Sequence, residues 1–474
     1  MPRDPLVTSQ RLRPGVAAHH AVTADAAREV LLDGGTAADA AVAGVLASGV
    51  AESLLTTLLG GGHGIYYDAT AGDVTLIDFF VTIPGLARAV PAGTSILDGI
   101  GRTVDIVFES EPIPYEIGCD TAGVPGVPAG CGVLWERWGR MPWARLVEPA
   151  VAAARRDVTL LPTHEVVLKM MSPAYTLDRG ADMFAPGGEL LKAGERLHQP
   201  RMEHFLRILA EEGPRSVYDG QLAKDLLALC RDRGGLIDRE DLAAYEVLIG
   251  RPASVSYAGA QVFSRRGMSA LLPTLGGLPD FGALDPAARA LALAAAFQGG
   301  TEPGETTNLA VVDQAGNACV VTTSIGIGTG DWLHDVHLNS MLGEGYLRPP
   351  NPQPGDRMGS MMSPTVAMAP DGPVLAVGAA GGSRITGALT QVIAGVLAEQ
   401  RSVADAIERP RMHRVGQAVM VEPDFEDEGA AALAAAGYEV RRFGTRHHFF
   451  GGVSGIGRAT LAADSRRDGA SRLV

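Results

Sequence analysis

Thr306 and Thr307 stand directly before an apolar run, in GETTNLAVVDQAGNACVVTTS (304–324). A threonine at the threshold of a buried strand is either an ordinary β-branched strand residue or a nucleophile, whose hydroxyl needs an adjacent base to react. A second stretch, GAAGGSRI (378–385), ends a strand at Gly381-Gly382 and opens a helix. Unpaired N–H groups at such a helix start can stabilise an oxyanion, although the same turn also serves as plain strand-to-helix punctuation. The segment QGGTEPGE (298–305) reads as a flexible or strained loop in front of the threonines. Hydroxyl, loop and turn together suggest acyl transfer.

Other chemistries find less support. His164-Glu165 lacks the second histidine of a zinc helix motif, and His19-His20 and His447-His448 are bare pairs that read as surface or packing features. Gly60-Gly61-Gly62 and Gly328-Thr329-Gly330 do not sit between a parallel strand and a helix with a downstream acid, as a dinucleotide loop requires. Ser454 in GVSGIG lacks the spacing of a nucleophile elbow. Cys119, Cys131, Cys230 and Cys319 are scattered without ligand spacing. No metal or cofactor is therefore expected.

Composition narrows the partners. A net charge of −14 argues against nucleic acid and against anionic membranes, and 46% hydrophobic with 20% charged residues is ordinary globular usage. No uncharged apolar run reaches the roughly 20 residues needed to span a bilayer. The N-terminus MPRDPLVTSQRLRPGVAAHH has no apolar core of a secretory signal, so the expected location is cytoplasmic. The expected partner is a small-molecule substrate. The quaternary state stays open, a homo-oligomer included.

The elements that must position these residues follow from periodicity. Residues 24–50 read as two alanine-rich helices, the first ending at Gly34-Gly35 and the second N-capped by Thr36 and buried on most faces. GGGHG (60–64) leads into a strand pair in IYYDATAGDVTLIDFF. Residues 141–157 and 199–232 read as mainly helical, DREDLAAYE (238–246) has a capping-type start, and 281–299 reads as one helix. LAVVD and ACVVTTS pair around QAGN, TVAMA and VLAVGAA follow, and GGS opens the helix ITGALTQVIAGVLAEQ. A helix near 428–436 and strands in YEVRRFG and FGGVSGIGRATLA close the chain. Antiparallel hairpins dominate the last third, which makes an α+β layout.

From end to end the chain resembles the γ-glutamyltranspeptidase family of N-terminal-nucleophile hydrolases. The resemblance rests on the order of GGTAADAAVAGVLASGVAE, GGGHGIYYDATAG, AGVPGVPAG, EEGPRSVYDG, GGLIDREDLAAYE, ETTNLAVVDQAGN, MMSPTVAM, GAAGGSRI and AADSRRDGA. It implies a four-layer αββα sandwich and self-cleavage before Thr306, giving a large segment 1–305 and a small segment 306–474 within one structural domain. The two fragments would then be each other's partners. Cleavage frees the Thr306 α-amino group, whose reference pKa near 8 suits a general base. By the same resemblance the Gly381 and Gly382 N–H groups hold the oxyanion, Ser324 steadies the nucleophile, and Thr307 matches the family's second threonine. Asn308 replaces the usual histidine.

The departures fall in the implied glutamyl pocket. The arginine that clamps a glutamyl α-carboxylate in the family is Phe80 here, one of two serines is retained as Ser360 with Met361 beside it, and a family asparagine falls at Gly326. A glutamine and an aspartate fall at Met341 and Glu344, and the lid is shortened to LRPPNPQPGD. Phe80 cannot make the bidentate ion pair of an arginine, at a cost of about 1–3 kcal/mol per charged hydrogen bond. The resemblance thus points to a threonine hydrolase with a more apolar pocket. It is similar to the family branch that cleaves a carbon–carbon bond and releases a two-carbon acidic fragment, in routes to 4-alkyl-proline units of pyrrolobenzodiazepines, hormaomycin and lincomycin. One alternative is an amide acylase, acting on γ-glutamyl groups through Arg384 or Arg357, or on β-lactam side chains. Another is a non-catalytic binding protein with an inert, uncleaved Thr306.

Overall fold

A computed structural model describes residues 11–91, 93–108, 111–297 and 305–474. The expected loop at 298–305, apart from Glu305, and the first ten residues of the N-terminal stretch lie outside the described residues. Two antiparallel sheets form the centre. The first runs, in spatial order, Ala470–Leu473, Gly15–Ala18, Glu305–Val312, Ala318–Gly326, Gly61–Asp68, Asp73–Phe79 and Leu248–Gly250. The second runs Leu461–Ala463, Gly452–Gly457, Gly372–Ala380, Thr365–Ala369, Ala260–Ser264 and Ala253–Tyr257.

Strand alternation explains the layers. In the strand Glu305–Val312, Leu309 and Val311 pack on the helices Ala21–Leu32 and Ala37–Ala51. Ala310 and Val312 face the other way and meet Val366, Ala376 and Ile456 of the second sheet. On that sheet's outer face, Leu375, Val377 and Ala379 pack with Leu389, Val392 and Ile393 of the helix Arg384–Leu397. Helix, sheet, sheet, helix is the expected αββα sandwich.

The helix behind the threonines is built for close approach. Ala37–Ala51 is buried along its whole length and starts in a capping box between Thr36 and Asp39. A Cβ on Gly44 would sit 2.5 Å from the Leu309 side chain, so a larger residue there would have to displace that leucine.

Some boundaries shift. The single helix expected over 281–299 is a short turn at Phe281–Ala283 followed by the helix Pro286–Ala296, because Asp285 caps a new start with Pro286 in the first turn. The strand in YEVRRFG, Glu439–Arg442, joins neither central sheet but pairs in parallel with Ala418–Val421. The paired histidines are mostly packing features: His19, His20 and His448 are buried, and His20 caps the helix Ala21–Leu32 through Nδ1. Among the described residues no helix is long and apolar enough to cross a membrane.

Candidate active site

Thr306 lies second in its strand, 3% exposed, opposite Ser324 in the neighbouring strand. A register shift between Glu305 and Thr306 breaks the ladder at that bond, and such a bulge re-aims the flanking groups. The Ser324 hydroxyl donates to the carbonyl oxygen of Glu305 at 2.5 Å, and the Gly326 N–H donates to Ser324 Oγ at 3.1 Å. The carbonyl held by Ser324 belongs to the Glu305–Thr306 peptide. A hydrogen bond there draws electrons from the carbonyl carbon, next to a residue that carries a hydroxyl.

Period-two alternation separates the two threonines. Thr306 shares the inter-sheet face with Asn308, whereas Thr307 faces the helices and donates to Glu52. The Thr23 hydroxyl donates to the other oxygen of that carboxyl at 2.5 Å. Burial pushes the Glu52 pKa up to about 7. The Asn308 side-chain amide donates to the Thr322 hydroxyl at 2.8 Å and accepts from the Leu309 N–H at 3.2 Å, and it fills the space over Gly378, where a Cβ would lie 2.0 Å from it. Asn308 is thus wedged between the sheets, deeper than Thr306.

The strand under Asn308 runs on through Ala380 into Gly381 and Gly382, with φ of 130° and 56°. Their carbonyls accept from Arg384 and Ile385 as the helix begins, while neither glycine's N–H has a protein acceptor among the described residues. Two free donors at a helix start are a fitting oxyanion cradle. Gly381 has no room for a side chain, since a Cβ would sit 3.0 Å from Gly451 Cα.

Sequence reasoning missed one charged pair here. Glu305 is fully buried, and its Oε2 takes a salt bridge from Arg467 Nη1 at 2.9 Å; Arg467 is 1% exposed. The Arg467 Nη2 lies 3.6 Å from where a Cβ of Gly381 would be, so the pair adjoins the turn. The neighbouring Arg384 is pushed down to about 10, mainly by burial, with Glu305 opposing and Arg467 adding to the shift. His19 and His164 are pushed down to about 3 by burial, so they are neutral, and the arginines carry the positive charge. The only sequence signal was the doubled arginine of AADSRRDGA and a glutamate placed just before the threonines.

The departure positions are brought to the same end of the sandwich. Phe80 is buried with its ring stacked on His63 at 5.4 Å, in one apolar cluster with Met341, Met358 and Met362. Gly326 has φ of 75°, and a Cβ there would meet Glu344 Oε1 at 2.6 Å and the Met341 sulfur at 3.6 Å. The Glu344 carboxyl, pushed up to about 7 by burial, accepts from Tyr346 at 2.5 Å. Ser360 Oγ accepts from the Met362 N–H, and its carbonyl accepts from Arg265. Met361 lines a surface cleft with Met268, Phe297, Ser383, Thr386 and His413, at the first turn of the helix Arg384–Leu397. Arg357 donates to the carbonyls of Phe80 and Glu246 and to the Tyr245 hydroxyl.

The gamma-glutamyltranspeptidase family profile matches residues 23–276 and 284–474. The chain belongs to that family. Among proteins of this family, the chain is 28% identical to the acylase ACY 1 proenzyme of Pseudomonas sp. strain V22, over 96% of this chain and 92% of that one. It is 26% identical to the glutathione hydrolase proenzyme of Bacillus subtilis strain 168, over 96% and 90%. Its fold matches cephalosporin acylase from Bacillus halodurans with a TM-score of 0.78 and 22% identity, over 100% of this chain and 98% of that one. It also matches LmbA2991HD with a TM-score of 0.79 and 21% identity, over 98% and 99%. As a gamma-glutamyltranspeptidase-family member the chain is an N-terminal-nucleophile hydrolase, for which threonine is the usual nucleophile.

Proposed function

We propose that the chain cuts itself between Glu305 and Thr306, and that the freed Thr306 hydrolyses a non-glutamyl substrate. The observation that carries this reading is the Ser324 hydroxyl on the Glu305 carbonyl, 2.5 Å away. In the cut, Thr306 Oγ bonds to the Glu305 carbonyl carbon, the C–N bond breaks, and the hydroxyl proton goes to the departing nitrogen. Water then hydrolyses the ester, restoring the hydroxyl and leaving segments 1–305 and 306–474. In turnover the α-amino group takes the hydroxyl proton, and Gly381 and Gly382 receive the oxyanion.

Phe80 supports the substrate choice. It puts a buried ring at the clamp position, and a ring cannot pair with a γ-glutamyl α-carboxylate as a guanidinium does. The reading is hydrolysis of a carbon–carbon bond beside an electrophilic ketone: water adds, the acyl half leaves as a two-carbon acid, and the other half takes the proton. That chemistry belongs to a cytoplasmic natural-product route to 4-alkyl-proline units. A second reading, amide hydrolysis of an acyl side chain, is favoured by the acylase relative that spans 96% of the chain.

A denaturing gel with N-terminal sequencing tests the first step. Two fragments, the smaller starting at Thr306, are expected, and Thr306→Ala leaves one chain. An intact wild-type chain after long incubation would instead indicate a binding protein. Brisk release of p-nitroaniline from γ-glutamyl-p-nitroanilide would overturn the non-glutamyl assignment.

A further inference from the structure

The first acyl group this nucleophile meets is its own. In the intact chain the acyl half of the scissile bond is Glu305, whose carbonyl oxygen is held by Ser324 at 2.5 Å and whose side-chain carboxylate is held by Arg467 at 2.9 Å. The contact is incomplete on both sides. Glu305 Oε1 and Arg467 Nε have no hydrogen-bond partner among the described residues, although an arginine and a carboxylate can pair through two parallel bonds. Arg467 is buried, and its Nη2 reaches the bare face of Gly381, so its charge acts in a water-poor place beside the oxyanion turn.

We propose that Arg467 is the carboxylate anchor of the mature site, occupied by Glu305 until the 305–306 bond is cut. This rests on the reading of Thr306 as nucleophile. Hydrolysis removes the covalent link that holds Glu305 opposite Gly326 and gives it a second carboxylate, so one guanidinium then faces two negative groups. Once Glu305 leaves, Arg467 is a buried cation without a counter-ion, and a substrate that supplies one is selected. The substrate class is therefore an acyl compound with a free carboxylate on the half that bonds to Thr306. The family's usual clamp position, Phe80, has no part in this. Within Glu305 the carbonyl and carboxylate are separated by Cα, Cβ and Cγ, as they are in a glutaryl group, whereas an oxalyl group joins them directly.

Binding of oxalate and of glutarate, measured by calorimetry on uncleaved chains, tests the anchor without asking for turnover. Thr306→Ala should bind neither well, because Glu305 fills the place. Thr306→Ala with Glu305→Ala should bind one of them at least tenfold more tightly, and adding Arg467→Gln should abolish the gain. A preference for oxalate fits the two-carbon reading and a preference for glutarate the acylase reading; both support the anchor. No gain, or a gain that survives Arg467→Gln, overturns it. If the Glu305→Ala chain loses its near-ultraviolet circular dichroism, the processed wild-type protein takes its place. It must bind the dicarboxylate where intact Thr306→Ala does not. A failed anchor leaves Thr306 hydrolysis standing, whereas a Thr306→Ala chain that is still cut overturns the nucleophile itself.

Discussion

Arg466 and Arg467 sit side by side on one short turn, Ser465–Arg467, and both are buried. Arg466 is saturated: it donates to both oxygens of Glu422, to Asp464 Oδ1, and to the carbonyls of Ile407 and Arg409. Asp464 also takes Arg411 at 2.6 Å, and the two arginines hold its carboxyl down at about 2 against the effect of burial. Arg467 meets one carboxylate, on the residue before the expected nucleophile. Neighbouring identical side chains thus differ in completeness. A fully bonded ion network is scaffold, while a half-bonded buried cation at a strand bulge is poised to exchange its partner.

The largest effect should come from the saturated side. In the uncleaved Thr306→Ala background, Arg466→Met leaves buried Glu422 without its cation and Asp464 with Arg411 alone, and should cost about 3–5 kcal/mol, read as a lower urea midpoint. Arg467→Gln should cost less, but in an otherwise wild-type chain it should slow self-cleavage about tenfold or more, since the Glu305 carbonyl loses an anchor for its geometry; a gel time course reads this. If Arg467→Gln proved the more destabilising of the two, the contrast would collapse. A double-mutant cycle of Glu305→Gln and Arg467→Gln sharpens it, with an expected coupling of about 0.5–3 kcal/mol.

Glu52 calibrates the contrast as a buried acid with hydroxyl donors and no ion pair among the described residues. Its folded pKa, about 7, lies above the unfolded value of 4.5, so the folded state holds the extra proton. Its stabilisation is complete below about pH 4.5 and is lost as pH rises through 7, by about 3 kcal/mol in all. The buried histidines run the other way, because His19, His63, His164 and His337 are pushed down to about 3 and lose stability as pH falls below 6.5. The difference between wild type and Glu52→Gln isolates the carboxyl. It should shift in favour of the variant between pH 4.5 and 7.5, and a flat difference would count against the buried, neutral acid.

Much of the fold was legible because local signals agree with it. Thr36 announces the buried helix, Asp238 and Asp241 give DREDLAAYE the capping-type start expected there, and GGS opens the helix at Arg384. The helix expected over 281–299 was misjudged because Asp285-Pro286, a start signal, lies inside an alanine-rich run. At the site, the threonine pair and the Gly381-Gly382 turn are local motifs and could be read. Glu52 and Arg467 could not, since their partners lie 255 and 162 residues away and no spacing links them. The opposite facing of Thr306 and Thr307 was implicit in strand alternation, but what each face meets is a tertiary fact.

The order of strands has a mechanical consequence. Glu305–Val312 is flanked by Gly15–Ala18 on one side and Ala318–Gly326 on the other, and Ala318–Gly326 is flanked in turn by Gly61–Asp68. Gly15–Ala18, from before residue 305, is thus clasped between Ala470–Leu473 and Glu305–Val312, and the pair Glu305–Val312 and Ala318–Gly326 is clasped between two strands from before that residue. A nick at that point therefore cannot let the halves drift apart on dilution, since parting them means unzipping the central sheet. For the same reason the two halves, made as separate polypeptides, would have to fold around each other rather than dock as finished pieces.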